Sequence, residues 1–204
     1  MGAVLALDQL LEARTVWRGG ASSVVERGGS PTGHAALDAR LPQGGWPSNA
    51  LVEVLIPADG VGELALVFPT LARLTQAGQR VILIAPPYRV HAPGWAYAGV
   101  SLAQLQVVQA SARDALWAAE QCLRSAACGA VLCWPHQADD RALRRLQVAA
   151  ETGQCLGFAF RDAKHVRNPS PAALRVELEA NSRQVRVLKC RGGLAPAQPI
   201  ALVS

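Results

Sequence analysis

The amino-acid sequence predicts an α/β protein, an open and mostly parallel sheet covered by helices, with antiparallel strands at its C-terminal end. Three observations predict it. Continuous apolar runs such as Val81–Ala85 and Ala130–Trp134 lack the alternation of a half-wet strand and fit parallel strands covered on both faces. Helical periodicity fills the stretches between such runs, so strand and helix alternate along the chain. Near the end, Leu174–Leu178 and Gln184–Cys190 flank Asn181-Ser182 with no room for a helix, which makes an antiparallel hairpin.

In order, Leu7, Leu10 and Leu11 fall on one stripe of a short amphipathic helix over Leu5–Arg14. Gly19-Gly20 and Gly28-Gly29-Ser30-Pro31 then break the pattern, so residues 1–30 are expected to form an arm, 31–192 the core and 193–204 a tail. Leu51–Ile56 is the first strand. Gly62–Gln76 follows as a helix with Leu64, Val67, Leu71 and Leu74 on its buried face and Gly78 closing it. After Val81–Ala85 come a strand at Leu105–Val108, a helix over Ala112–Ala127, the strand Ala130–Trp134, a helix over Asp139–Thr152 ended by Gly153, and the strand Leu156–Phe160.

The chain has 204 residues, half of them hydrophobic and 17% charged, which supports one sizeable core and excludes disorder over most of its length. No apolar run approaches the roughly 18–20 residues of a membrane helix, and the N-terminus has no basic region ahead of its apolar residues, so a cytoplasmic protein is expected without membrane contact. The net charge of +5 comes almost wholly from arginine and permits an acidic partner without requiring one. Five cysteines show no C-x-x-C or zinc spacing and read as free thiols.

A strand, a glycine-containing turn and a helix form the usual phosphate cradle of nucleotide-binding proteins. Here the turn is Pro57-Ala58-Asp59-Gly60-Val61-Gly62-Glu63, where a phosphate loop needs lysine and a hydroxyl after its last glycine. Asp59 and Glu63 would instead repel phosphate, while Glu63 suits the positive end of the following helix. The strand Ala130–Trp134 ends in Cys133-Trp134, where a magnesium-holding carboxylate would stand. His34, His91, His136 and His165 lie in no catalytic spacing, and Asp139-Asp140 reads as a helix cap. No catalytic residue, cofactor or metal site is expected.

Thr32-Gly33, Leu37-Asp38, Leu41, Gly44-Gly45, Pro47 and Val52-Glu53-Val54 resemble the entry to the RecA-family ATPase core, and Gln184–Arg191 resembles its late strand. Between these ends, Gln79–Pro86, Trp95, Gly99-Val100, Ala130–Trp134 and Ala149–Phe158 resemble the cell-division inhibitor SulA, a family with a RecA-like fold and no ATPase activity. RecA-like ends on a SulA-like middle, together with Val16-Trp17-Arg18-Gly19, resemble the ImuA family. That resemblance implies a RecA-like three-layer αβα sandwich with a degenerate P-loop. It also implies a non-catalytic role in the SOS response to DNA damage, supporting translesion synthesis beside an ImuB-like Y-family polymerase homologue, an error-prone polymerase III α subunit and RecA.

The alternative is a SulA-type inhibitor that binds FtsZ. The arm with Trp17 and the Thr32–Pro47 entry separate the two, since SulA is expected to lack both. Leu7, Leu10, Leu11, Trp17 and Arg18 are the expected partner interface. Arg141, Arg144 and Arg145 share one helical face and are the expected contact for non-specific DNA, provided they form a patch.

Overall fold

A computed structural model describes residues 28–179 and 184–202. Its centre is an eight-stranded sheet built from β1 (Leu51–Ile56), β2 (Val81–Ile84), β3 (Leu105–Val108), β4 (Ala130–Cys133), β5 (Leu156–Asp162), β6 (Leu174–Leu178), β7 (Gln184–Cys190) and β8 (Ile200–Ala201). The spatial order is β3-β2-β4-β5-β1-β6-β7-β8. The first six in that order pair in parallel, and β7 runs antiparallel to β6 and β8. This is the mixed, mostly parallel sheet with an antiparallel end that the apolar runs predict.

Helices cover both faces. On one lie α1 (Ala35–Asp38), α2 (Glu63–Gln76) and α3 (Ala92–Tyr97), with a core of Leu37, Trp46, Leu66, Leu71, Trp95 and Phe158. On the other lie α4 (Ala112–Arg124) and α5 (Asp140–Thr152), packed through Ala119, Leu123, Leu143 and Leu146. Strands β1, β2 and β4 are buried at every position, as a sheet covered on both sides requires.

Helix faces and element ends agree with the sequence reading in part, each for a physical reason. The buried face of α2 takes in Glu63, Leu66 and Thr70, and Leu64 is only partly buried. That helix ends as a Schellman motif, with Gly78 at φ +78° donating to the Thr75 carbonyl and Gln79 to that of Leu74. The α5 helix ends at its C-cap Gly153, as expected, with the left-handed residue one place later at Gln154, φ +51°, and Gly153 also serves close packing. A Cβ at Gly153 would lie 1.9 Å from the Leu123 carbonyl oxygen of α4. Strand β5 runs on to Asp162 because Arg161 is held against β1.

The helix α3 and the strand β8 are additions. Pro93-Gly94 hides α3 in the sequence, although His91 caps it by accepting the Gly94 N–H through Nδ1 at 3.2 Å. β8 lies inside the stretch 193–204, where it carries the sheet past β7 and buries Ile200. Among the described residues no helix is long and apolar enough to cross a membrane.

Candidate functional site

The carboxyl ends of the parallel strands are where an α/β sheet leaves a crevice for ligands. There the exposed turn Pro57–Gly62 joins β1 to α2. Gly62 is left-handed at φ 96° and offers no side-chain cap, so the first turn of α2 needs another acceptor. Glu63, the first helical residue, does not cap that turn but folds back over the preceding one, 1% exposed. Its Oε1 accepts the Gly60 N–H at 3.2 Å and the Tyr88 hydroxyl at 3.3 Å. Burial, and then the Glu63 charge, push the Tyr88 hydroxyl well above the ordinary phenol range, which keeps it a donor. Asp59 faces the His136 ring at 3.5 Å across a cavity of about 90 Å³ that Asp162 also lines.

Beside this turn, Cys133 and Trp134 belong to the core. The Cys133 thiol lies 3.6 Å from the Phe158 carbonyl, and burial pushes it up to about 12. Trp134 stacks on Phe160 at a centroid distance of 5.1 Å. The histidines engage backbone as well: His34 Nε2 lies 3.1 Å from the Leu66 carbonyl and His165 Nε2 3.2 Å from that of His136. Asp139 caps α5 by accepting the Ala142 N–H at 2.7 Å. Among the described residues no group of three or more His, Cys, Asp or Glu side chains is placed to hold a metal ion.

A buried charged cluster is one the sequence reading did not single out. Glu53, wholly buried in the central strand β1, is flanked by Arg161 of β5 and Arg175 of β6. Arg161 Nη1 donates to Glu53 Oε1 at 2.7 Å, and Arg175 Nε stands 2.9 Å from Oε2 without hydrogen-bond alignment, so that second contact is coulombic. The guanidiniums also bind main chain. Arg161 Nη2 reaches the Ala138 carbonyl at 2.5 Å, and Arg175 reaches those of His165, Val166 and Asn168 at 2.6–2.9 Å. The signal was available: a carboxylate inside the apolar run Leu51–Ile56 needs a cation.

Arg141, Arg144 and Arg145 are exposed on α5, with Arg124 of α4 beside Arg145 on the shared partner Glu120. Their charge is partly spent internally. Arg145 and Arg124 both pair with the buried Glu120, the latter at 2.9 Å, and Arg144 pairs with Asp140 at 3.5 Å. Leu7, Leu10, Leu11, Trp17 and Arg18, the expected partner interface, lie outside the described residues.

Comparison with known proteins supplies the remaining finding. A family model described as cell division inhibitor SulA matches residues 51–157, just over half of the 204. The crystal structure of SulA from Pseudomonas aeruginosa is similar at 26% identity over 54% of this chain and 96% of that chain, with a TM-score of 0.46. No curated protein matches.

Proposed function

The chain belongs to the SulA family, and from that premise we propose that it is a non-catalytic scaffold of the ImuA type, with a RecA-like core that works through its surfaces. In this reading it supports error-prone copying past DNA lesions, in the cytoplasm, together with an ImuB-like Y-family polymerase homologue, an error-prone polymerase III α subunit and RecA. One observation carries the reading: the fold does not end where the family match ends. Before residue 51, Leu37 and Trp46 are wholly buried, and Trp46 Nε1 donates at 2.8 Å to Thr70 of α2. The Thr32 N–H is held by Asp38 at 3.0 Å. After residue 157, β6, β7 and β8 complete the sheet. These built-in additions include the segments whose sequences resemble the RecA-family entry and late strand.

The turn Pro57–Gly62 supports the non-catalytic part. Taken as a degenerate P-loop, it holds the Glu63 carboxylate on the Gly60 N–H, a group that a phosphate would need. The arm with Trp17 and the face of Arg141, Arg144 and Arg145 are the proposed contacts for partners and for non-specific DNA.

The second reading, a division inhibitor acting on FtsZ, is favoured by the family match itself. Co-expression of the full chain with the ImuB-like homologue and, separately, with FtsZ discriminates the two. Recovery of the polymerase homologue and not of FtsZ is expected. Recovery of FtsZ alone overturns the scaffold reading in favour of the inhibitor.

A further inference from the structure

The end of the sheet opposite the turn Pro57–Gly62 also carries an opening. Where the chain enters β1, β2, β4 and β5, the stretches 47–49, 78–80, 126–129 and 153–154 wall a cavity of about 620 Å³, the size of a small-molecule site.

Three helices end at this rim, and a helix C-terminus ordinarily turns bare carbonyls, and with them negative charge, outward. Here those carbonyls are taken. At the end of α2 the N–H groups of Gly78 and Gln79 donate to the Thr75 and Leu74 carbonyls at 3.1 and 3.0 Å. The Ser125 hydroxyl donates to the Cys122 carbonyl of α4 at 2.8 Å, and the Cys155 N–H to the Ala150 carbonyl of α5 at 3.0 Å. Left-handed residues at Gly78 and Gln154 make two of these turns possible.

The wall is instead rich in donors. Arg73 and Arg80 line it, and no aspartate or glutamate does. Among the described residues neither guanidinium pairs with a carboxylate. Arg73 donates to the Ser30 hydroxyl and, at 3.4 Å, to the Pro31 carbonyl, while the Arg80 side chain has no partner among those residues. The same holds for the Asn49, Gln79 and Gln154 carboxamides on the wall. A Cβ at Gly129 would stand 2.7 Å from Gln79 Oε1, so glycine there is what leaves Gln79 its place.

We infer that this cavity binds a small polyvalent oxyanion, a phosphate ester or a polycarboxylate, held by Arg80 and Arg73 with the carboxamides on its polar body. Guanidinium forks match both kinds of oxyanion in two-point contacts, and carboxamides supply donors and acceptors to hydroxyl or amide groups beside them. A cation would meet two unneutralised guanidiniums. The inference is independent of the proposed function, since Arg141, Arg144 and Arg145 do not line this cavity.

Calorimetric titration of the full chain with pyrophosphate and, separately, with citrate tests it, at fixed ionic strength so that the diffuse attraction of a +5 chain stays constant. One-to-one binding of at least one probe is expected, and which probe binds says whether phosphate or carboxylate is the group recognised. Arg80→Gln, at an exposed position, should weaken that binding about tenfold or more with unchanged circular dichroism, and Arg141→Glu/Arg144→Glu should leave it intact. Amide NMR shifts need no variant: in the wild-type chain the probe should move the signals of residues 78–80 and 126–129. Failure of both probes to bind at millimolar concentration overturns the inference. So does binding that Arg80→Gln leaves unchanged, affinity lost equally in both variants, which marks general attraction to positive charge, or shifts confined to other parts of the chain.

Discussion

Glu53→Gln isolates the buried charge at the centre of the sheet. The wild-type carboxylate is 0% exposed and serves two guanidiniums that are themselves 2% and 6% exposed. The amide keeps the shape and removes the anion, which strands two cations where water cannot reach them. Breaking a buried pair from one side costs about 3–5 kcal/mol, set against a total stability of about 5–15 kcal/mol for a domain. For a chain of this length that loss corresponds to a fall in Tm of roughly 6–20 °C.

A second substitution separates charge from hydrogen bonding. Arg161 binds one carbonyl, that of Ala138, whereas Arg175 binds three. Adding Arg161→Met to Glu53→Gln should therefore recover part of the loss, because it removes a stranded cation and orphans only one acceptor. Adding Arg175→Met should deepen it, since three hydrogen bonds to the part-buried turn 165–168 are lost, each worth about 0.5–1.5 kcal/mol. Urea denaturation of the four proteins gives these differences directly. A loss below about 1 kcal/mol for Glu53→Gln, or equal effects of the two arginine replacements, would refute the reasoning.

The Cys133 and Cys155 thiols, raised by burial from 9.0 to about 12, should resist a disulfide reagent until the protein unfolds. Their contribution to stability is whole below pH 9 and is lost as pH rises toward 12, by up to about 1.4 kcal/mol per unit for each thiol, so a Cys133→Ala/Cys155→Ala protein should show a flatter alkaline limb in denaturation. On the basic face, Arg141→Glu/Arg144→Glu is a cleaner reversal than one that includes Arg145, which neutralises Glu120. It should weaken DNA binding and lower its salt dependence in a fluorescence anisotropy titration, and unchanged affinity removes DNA from that face. Mg-ATP at millimolar concentration should leave Tm unchanged, and Glu63→Lys alone should not create hydrolysis, since a magnesium hydroxyl and carboxylate would still be lacking. A magnesium-dependent rise of several degrees would overturn the non-catalytic reading.

The parallel strands and the two long helices of one face were legible because burial on both sides of a sheet writes itself as unbroken runs such as Val81–Ile84, and N-caps such as Asp139 act within a few residues. What escaped depends on partners far away in sequence. Glu53 stands 108 residues before Arg161, and nothing local says which of the eighteen arginines turns inward. Gly153 is the helix stop it looks like, yet the need for glycine there comes from the Leu123 carbonyl of another helix. The α3 helix was masked by its own proline and glycine, because a cap at His91 outweighs propensity over so short a segment.

The buried cluster and the loop at the end of β1 bear on the same question from opposite sides. A nucleotide switch keeps its phosphate loop open, so that binding energy is released only when ligand arrives. Here the carboxylate of Glu63 already occupies the Gly60 N–H, and Tyr88 holds that carboxylate in place. Within β1 itself, Arg161 and Arg175 tie the neighbouring β5 and β6 to it through the Glu53 carboxylate, while Gln147 of α5 accepts the N–H groups of Leu51 and Ala173 at 3.1 and 3.0 Å. Each contact fixes an element that a ligand-driven switch would need to release. Binding free energy at the outer surfaces is then not diverted into rearranging the sheet, which is the physical condition for a rigid scaffold.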